Sequence, residues 1–274
     1  MKVLAIESSC DDTSIAVIND QKNIDFLETI NHRKFHQKHG GVIPEMAARQ
    51  HLDILNLFKT KINKINFSGI DAIASTYGPG LIGGLIVGSS FAKGLSISQN
   101  KKLIPINHLQ AHLLSPRLTN NIKFPYLCLL VSGGNTALVL VKNPSSFVTL
   151  GSTIDDSAGE CFDKVAKALG LGYPGGPAIE KLAMKGDLKS FSLPMPLTKI
   201  KNCDFSFSGL KTAAIDVIKK NKNNKKFLYN FSASFQYTVG QIFKKKILNA
   251  LENLSRENIE IKDFSICGGV AANK

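Results

Sequence analysis

Two pairs of short apolar segments, each pair separated by a small polar turn, dominate the hydrophobic pattern of the chain. Residues 2–7 (KVLAIE) and 14–18 (SIAVI) form the first pair, and this pattern predicts a β-hairpin. The same arrangement returns at residues 126–131 (YLCLLV) and 136–141 (TALVLV). A hairpin that occurs twice predicts two related lobes.

Other segments follow the period of a helix or the short apolar run of a buried strand. Helices are predicted for residues 44–58, 85–98, 163–169 and 227–254, and strands for residues 70–74 and 264–267. The order hairpin, helix, strand, glycine-rich loop and helix is thus predicted twice, which favours an α/β fold with a cleft between two lobes. We assign residues 1–107 to the N-terminal lobe and residues 108–274 to the C-terminal lobe.

Four turns rich in glycine or small polar residues lie at the ends of predicted strands. They are residues 8–13, 78–84, 132–135 and 268–273. Backbone N–H groups of such turns can bind phosphate oxygens, although any one turn is more simply explained as a chain reversal. The four together favour a nucleotide-like ligand. The chain has neither G-x-x-x-x-G-K-[ST] nor an early G-x-G-x-x-G, which disfavours P-loop and dinucleotide-binding folds.

A histidine pair indicates a metal site. His108 and His112 are four residues apart in NHLQAHLL, so a helix would place both imidazoles on one face, at a spacing that can hold a metal ion. Two histidines packed at a cleft or capping a helix would give the same pattern. A zinc protease is disfavoured because Leu109 stands where H-E-x-x-H requires glutamate.

An acidic run follows the second hairpin. Residues 155–163 contain four carboxylates, of which three are explained by the preference of Asp and Glu for the first turn of a helix. Asp163 lies within an otherwise apolar helix face, which is typical of a carboxylate that accepts hydrogen bonds from ribose hydroxyls or ligand amines. Glu180 lies one turn into the next predicted helix, after the rigid loop 173–177.

The composition adds an excess of positive charge. The 274 residues include 34 Lys and Arg against 21 Asp and Glu, a formal charge of +13, which favours a polyanionic partner such as nucleic acid. Lysine-rich stretches such as residues 219–226 are equally explained by a solvated loop. Five scattered cysteines without a C-x-x-C pair fit a reducing cytosol. With no signal sequence or membrane span visible, we expect a cytoplasmic protein without membrane contact.

Eight segments occur in a fixed order along the chain. They are IESSCDDTSIAV, HGGVIPEMAARQH, YGPGLIGGLIVG, NHLQAHLL, LLVSGGNTALV, IDDSAGECFDKVAKALGLGYPGGP, FSFSGLKTA and GGVAAN. In this order they resemble the tRNA N6-adenosine threonylcarbamoyltransferases, the TsaD family. The resemblance implies duplicated ribonuclease-H-like lobes of the actin, hexokinase and sugar-kinase superfamily. It also implies transfer of the threonylcarbamoyl group from threonylcarbamoyl-AMP to N6 of adenosine 37, in tRNAs that read codons starting with A.

The same resemblance implies the residues of the site. His108 and His112 match the histidines that bind one divalent metal ion per subunit in the family, Fe2+ or Zn2+. Donor-binding residues of the hairpin are implied at Leu130, Val131, Ser132, Gly133 and Gly134, nucleoside-binding residues at Asp163, Gly176 and Glu180, and the adenosine loop at Asn273. No residue is an obvious nucleophile, and positioning with charge neutralisation suffices for a donor that is already activated.

The resemblance also implies protein partners, and it shows one difference between this sequence and the family. The family modifies tRNA with protein partners of the TsaB and TsaE type, and a TsaC-type synthase makes the donor. Family members continue beyond the GGVAAN segment into a T-D-N segment, whose aspartate is the third protein ligand of the metal. Because this chain ends at Lys274, we expect it to supply two of those three ligands.

Three other functions compete with this interpretation. A small-molecule or sugar kinase of the same superfamily would need a catalytic aspartate, but no sugar-site signature is found and the histidine pair would have no role. A catalytically impaired scaffold subunit of the tRNA-modifying complex is a non-enzymatic alternative, although such paralogues usually lack the histidine pair. A glycoprotein endopeptidase is disfavoured by the missing glutamate of H-E-x-x-H.

Overall fold

The computed structural model describes residues 1–32, 35–36, 41–62, 65–221 and 224–273. By its internal contacts the chain divides into two compact units, Met1–Ala111 and His112–Lys274. His39 and Gly40, which open the HGGVIPEMAARQH segment, lie outside the described residues, as does Lys274.

The first unit is built on a sheet whose described strands have the order β3-β2-β1-β4-β5. The strands are β1 (Lys2–Glu7), β2 (Asp12–Asn19), β3 (Ile24–Asn31), β4 (Ala72–Gly78) and β5 (Lys102–Asn107). The first three strands form an antiparallel meander, whereas β1, β4 and β5 run parallel to one another. The carboxyl ends of β1, β4 and β5 therefore meet at one edge of the sheet, where ligand sites of open α/β sheets usually lie.

The α-helices described in this part of the chain are α1 (Pro44–Ile62), α2 (Ile82–Ser98) and α3 (His108–Leu114). Pro44 begins α1, since its fixed φ suits the first helical position. Ile54, Leu55 and Phe58 of α1 recur at helical spacing and are buried against apolar residues of the sheet. This packing forms the hydrophobic core of the unit.

The second unit repeats the strand arrangement. Its described strands β6 (Tyr126–Val131), β7 (Thr136–Asn143), β8 (Ser146–Ser152) and β9 (Asp263–Cys267) have the order β8-β7-β6-β9. As in the first unit, an antiparallel meander is extended by a parallel strand next to its first member. This matching topology confirms the duplicated lobes that the two hairpins predicted.

Helices cover the second sheet with a core rich in phenylalanine. They are α4 (Ala158–Ala168), α5 (Gly175–Ala183), α6 (Ser208–Lys220) and α7 (Lys225–Arg256). Phe162 of α4 meets Phe235 of α7 edge to face, with 5.1 Å between the ring centroids. This aromatic contact packs the long helix α7 against α4.

Several predicted boundaries were wrong. The strand predicted at 70–74 runs from Ala72 to Gly78, and the helix predicted from residue 85 begins at Ile82. The helix predicted from residue 163 begins at Ala158, because the Ser157 side chain caps it by accepting the N–H of Glu160. The order of elements is also not repeated in full, since α4 to α7 all precede β9.

Of the described strands and α-helices, β3, β5, β8 and α6 were not predicted. The three strands are edge strands of the described sheets, where side chains face water and the apolar pattern is weak. β5 also contains Pro105, a residue that is tolerated on an edge strand but argues against a strand when only the sequence is known.

Candidate active site

The carboxyl edge of the first sheet leads directly into the helix that carries the predicted metal ligands. β5 ends at Asn107, and α3 begins at His108. The side-chain oxygen of Asn107 accepts the backbone N–H groups of Leu109 at 3.0 Å and Gln110 at 3.1 Å, and so caps the helix. His108 and His112 lie one turn apart on α3.

His108 is held by two residues at and just after the end of β1, one of which is fixed in turn by a residue of β4. Its Nδ1 lies 3.2 Å from Oε2 of Glu7 and 3.0 Å from Oγ of Ser9. The Glu7 carboxylate also accepts the backbone N–H of Ser9 at 2.5 Å and the hydroxyl of Thr76. Glu7 ends β1 and Thr76 lies near the end of β4, so the parallel pairing of these strands brings the groups together.

The protonation of this cluster follows from its hydrogen bonds. Burial raises the pKa of Glu7, but hydrogen bonds from His108, Ser9 and Thr76 outweigh burial and lower the pKa to about 2. An ionised carboxylate only accepts, so the Nδ1 of His108 carries the proton that points at Glu7. An imidazole whose single proton is on Nδ1 has its lone pair on Nε2, the form in which histidine binds a metal.

The donor groups on α3 fit a divalent ion. Two imidazoles one helical turn apart suit Zn2+ or Fe2+, and a carboxylate on Nδ1 is the usual outer partner of a metal-bound histidine. The division between the units falls inside α3, so His108 belongs to the first unit and His112 to the second. Across the described ranges, no three His, Cys, Asp or Glu side chains are grouped as a complete metal site.

Glycines of the 78–84 loop and of α2 pack against the residues that follow β1. A Cβ on Gly80 would lie 2.5 Å from the backbone oxygen of Ser9. On Gly84 it would lie 2.3 Å from the oxygen of Ser8, and on Gly88 2.0 Å from the hydroxyl of Ser8. These glycines, four residues apart, therefore make room for Ser8 and Ser9, a role that the glycine-rich pattern did not reveal.

In the second unit, the turn of the second hairpin is fixed by the start of α4. Ser132 donates its N–H to the oxygen of Asn135 at 2.8 Å, which closes the turn. The Ser157 hydroxyl donates to the oxygen of Gly133 at 2.6 Å. A Cβ on Gly159 would lie 2.5 Å from the oxygen of Ser132, so the helix reaches the turn only because residue 159 is glycine.

The five predicted donor-binding residues differ in the groups that a ligand could reach. The side chains of Leu130 and Val131 are buried in β6, so neither has a side chain available to a ligand. Gly133 and Gly134 are exposed, and no atom beyond the neighbouring residues lies within 4 Å of a Cβ built on either one. Ser132 to Gly134 thus offer backbone groups in an open turn.

The predicted nucleoside-binding residues gather at the start of α5. Asp163 of α4 accepts the N–H of Gly175 at 2.7 Å and so caps α5, whose preceding residue Pro174 has no capping side chain. A Cβ on Gly176 would lie 3.7 Å from Nδ2 of Asn273. Glu180 is half-buried on α5, one turn after Gly176. Asp163, Gly176 and Asn273, distant in the sequence, are therefore neighbours.

The side-chain amide of Asn273 is buried. Neither Nδ2 nor Oδ1 of Asn273 has a hydrogen-bond partner among the described residues. An unpaired buried amide costs about 1–3 kcal/mol for each lost partner, so such groups are commonly completed by a ligand or water. Asn273 lines a cavity of about 600 Å³ together with Phe162, Tyr237 and Val270. Asn273 therefore combines a buried amide with a place in the wall of this cavity.

The remaining carboxylates of the acidic run have structural partners. Asp155 accepts the backbone N–H groups of Phe207 at 2.8 Å and Ser208 at 3.3 Å, at the start of α6. Burial raises the pKa of Asp155, but bonds from the Ser206 and Ser208 hydroxyls and these N–H groups outweigh it and lower the pKa. Asp155 therefore fixes the FSFSGLKTA segment at the start of α6, and not the start of the neighbouring helix α4, whose first turn contains only Glu160 of the acidic run.

Solved structures identify the class of the fold. The (R)-2-hydroxyglutaryl-CoA dehydratase component A of Acidaminococcus fermentans aligns with a TM-score of 0.53 and 15% identity, covering 100% of this chain and 85% of that chain. A ROK family protein from Streptococcus pneumoniae TIGR4 aligns with a TM-score of 0.52 and 14% identity, covering 100% and 82%. At this identity the likeness shows the fold alone. The chain shares with them an α/β fold, built here from two lobes with the same strand arrangement.

Closer relatives identify the family. The model of the family TsaD, described as tRNA N6-adenosine threonylcarbamoyltransferase, matches residues 26–274. Proteins of that name are 49% identical over 284 residues in Orientia tsutsugamushi (strain Boryong) and 46% identical over 274 residues in Wolbachia sp. subsp. Brugia malayi (strain TRS). The alignments cover 100% and 99% of this chain, and 83% and 82% of the two relatives. The chain belongs to the TsaD family.

Family membership settles the choice among the functions considered from the sequence. The protein is an acyltransferase of tRNA threonylcarbamoyladenosine modification, and tRNA is its substrate. The sugar-kinase and scaffold alternatives are not favoured, because these relatives are named as transferases. No helix in the part of the chain that the structure describes is both long and apolar enough to cross a bilayer.

Proposed function

We propose that this protein forms threonylcarbamoyladenosine at adenosine 37 of tRNAs reading codons that start with A, with threonylcarbamoyl-AMP as donor. His108 and His112 hold one divalent ion, Fe2+ or Zn2+, by their ring nitrogens. The turn Ser132 to Gly134, with Asp163, Gly176, Glu180 and Asn273, binds the donor. TsaB-type and TsaE-type proteins assist it, and a TsaC-type synthase supplies the donor.

The observation that carries the donor site is the buried amide of Asn273 next to the start of α5. Its Nδ2 donates and its Oδ1 accepts, so together they match the donor and acceptor pattern of a purine edge or a ribose hydroxyl. Gly176 leaves space beside this amide, since its hypothetical Cβ would have no closer contact than 3.7 Å. These features support a nucleoside at the N-terminal end of α5.

Asp163 has a second role in this proposal. Its Oδ1 already accepts the N–H of Gly175 at 2.7 Å, and this bond fixes the carboxylate at the end of α5. A carboxylate held in this way is pre-organised to accept a ribose hydroxyl without a further loss of side-chain entropy. Asp163 thereby has two roles: it caps the start of α5, and it accepts a hydrogen bond from the donor.

The chemistry needs positioning rather than a protein nucleophile. The N6 amine of adenosine attacks the carbamoyl carbon, the new C–N bond replaces the C–O bond of the mixed anhydride, and AMP leaves with its electron pair. The amine proton passes to the departing phosphate or to solvent. A bound divalent cation polarises a carbonyl and neutralises phosphate charge. The exposed backbone of Gly133 and Gly134 orients the donor so that the amine can reach the carbamoyl carbon.

The donor site is tested with a stable threonylcarbamoyl-adenylate mimic and calorimetry. Asn273→Ala removes two neutral hydrogen bonds, about 1–2 kcal/mol, and should weaken binding about tenfold. Asp163→Asn keeps an oxygen for the N–H of Gly175 but removes the charge, so binding should weaken about tenfold to a hundredfold. Asn143→Ala, which removes an exposed amide at the end of β7, serves as control. Equal affinity of all variants and the parent would contradict the site.

The metal site is tested separately. The double variant His108→Ala/His112→Ala should lose the metal that co-purifies with the parent, measured by elemental analysis, while its circular dichroism stays near that of the parent. Metal content equal to that of the parent would refute the assignment of the two histidines.

A further inference from the structure

The carboxylate of Glu7 is surrounded by hydrogen-bond donors. Oε1 accepts the N–H of Ser9 at 2.5 Å, and Oε2 accepts the hydroxyl of Thr76. Nδ1 of His108 lies 3.2 Å from the same Oε2. Because Thr76 and Ser9 fix the plane of the carboxylate, the direction of its bond to His108 is fixed as well.

The backbone that supports Glu7 is itself held firmly. The oxygen of Ser9 accepts the N–H of Leu81 at 2.7 Å, at the start of α2. The hydroxyl of Ser8 donates to the oxygen of Gly84 at 2.9 Å. The close approach of Gly80 and Gly84 to Ser9 and Ser8 leaves these residues little room to move. The glycine-rich loop therefore restricts the position of Ser9, and through Ser9 and Glu7 it restricts the position of His108.

From this geometry we propose that Glu7 is a positioning residue for the metal site: it holds His108 in the Nδ1–H tautomer and presents Nε2 as the metal-binding nitrogen. This inference rests on the proposed role of His108. A carboxylate on the second ring nitrogen fixes the orientation of the imidazole and increases its basicity as a ligand. Ser9, whose hydroxyl is 3.0 Å from the same Nδ1, gives the ring a second fixed contact.

The first test measures the tautomer of His108 in the metal-free full chain. Long-range proton–nitrogen NMR of the 15N-labelled imidazoles, assigned with His108→Ala, should show Nδ1–H in the parent. Glu7→Gln should shift His108 toward the Nε2–H form, because an amide no longer demands a donor from the ring. The control Glu45→Gln changes an exposed carboxylate that pairs with Arg49 and should leave the tautomer unchanged.

The second test measures Zn2+ affinity by competition with a chromophoric chelator. Glu7→Gln should weaken Zn2+ binding about tenfold to a hundredfold, the usual cost of removing an outer-shell partner, whereas Glu45→Gln should bind as the parent does. Thr76→Val, which frees the carboxylate on one side without removing it, should give a smaller loss in the same direction. If Glu7→Gln folds poorly, the Zn2+ affinity of Thr76→Val still tests the proposal.

The outcomes separate this inference from the metal assignment. If His108→Ala keeps the Zn2+ affinity of the parent, the metal site is wrong, and the tautomer measurement still decides whether Glu7 orients the ring. If His108→Ala loses Zn2+ but Glu7→Gln and Thr76→Val keep it, with an unchanged tautomer, the role of Glu7 is overturned. A parent His108 in the Nε2–H form would overturn it directly.

Discussion

A buried chain of hydrogen bonds in the first unit makes a specific prediction about acid stability. His51 Nε2 lies 3.1 Å from the carbonyl oxygen of Cys10, so it must donate, and its Nδ1 accepts the Thr13 hydroxyl at 2.8 Å. The Thr13 oxygen can then accept only from Nε2 of His32, 2.9 Å away. Burial lowers the pKa of both imidazoles, so this pattern of donors and acceptors is that of two neutral rings, and the remaining Nδ1 of His32 is buried without a hydrogen-bond partner among the described residues.

The size of the effect follows from the pKa of His32. Burial, together with repulsion from His51 and His36, lowers this pKa from 6.5 to about 4, against an opposing effect of Asp11. Between these values the unfolded chain binds a proton that the folded chain excludes, so the free energy of unfolding falls as the pH falls from 6.5 to about 4. At ~1.4 kcal/mol for each pH unit, this loss is about 3 kcal/mol and is complete below pH 4.

The matched perturbation is His32→Gln. The glutamine amide can still donate to the Thr13 oxygen but does not titrate, so the hydrogen-bond chain is kept while the acid sensitivity is removed. Urea unfolding of the parent and the variant, followed by circular dichroism from pH 7 to pH 4, measures the difference. We expect the parent to lose about 3 kcal/mol more than the variant over this range. Parallel pH profiles would refute the reasoning, since they would mean that His32 protonates in the fold at its ordinary pKa.

Other predictions concern packing and the tRNA. Gly159→Ala should destabilise the protein by about 1–3 kcal/mol in urea unfolding, because its Cβ would lie 2.5 Å from the oxygen of Ser132, whereas Gly240→Ala on α7 meets nothing within 4 Å and should not destabilise. Lys246→Met should cost about 1–3 kcal/mol in urea unfolding, since Oδ1 of Asn202 would lose the buried ammonium that donates to it at 2.8 Å, and the backbone oxygens of residues 197, 200 and 202 would each lose one of two donors. Stability equal to the parent would contradict this. In filter binding, log affinity for tRNA should fall linearly with log salt if lysines neutralise phosphates, and a flat profile would mean that the charge of +13 makes no such contacts.

The sequence by itself determined the elements whose signals are local. Both hairpins were predicted because their strands are short apolar runs on either side of small polar turns, and β6 is buried along its whole length. The long helix α7 was predicted from its period. For His108 and His112 the sequence indicated only that a helix would place both rings on one face, and the structure shows this helix as α3. The order of eight motifs was sufficient to identify the family, which the comparisons confirmed.

Only the tertiary structure decided which of these residues meet. Glu7 and His108 are 101 residues apart, and they come together because β1, β4 and β5 are parallel and end at the same edge. The contact of Gly176 with Asn273 depends in the same way on where α5 and the end of β9 lie in the second unit. Periodicity records which face of an element is buried, but not which element covers it. Strand pairing and close packing between residues that are far apart in the sequence determine which element covers that face. A local pattern of apolar residues contains no information about such contacts.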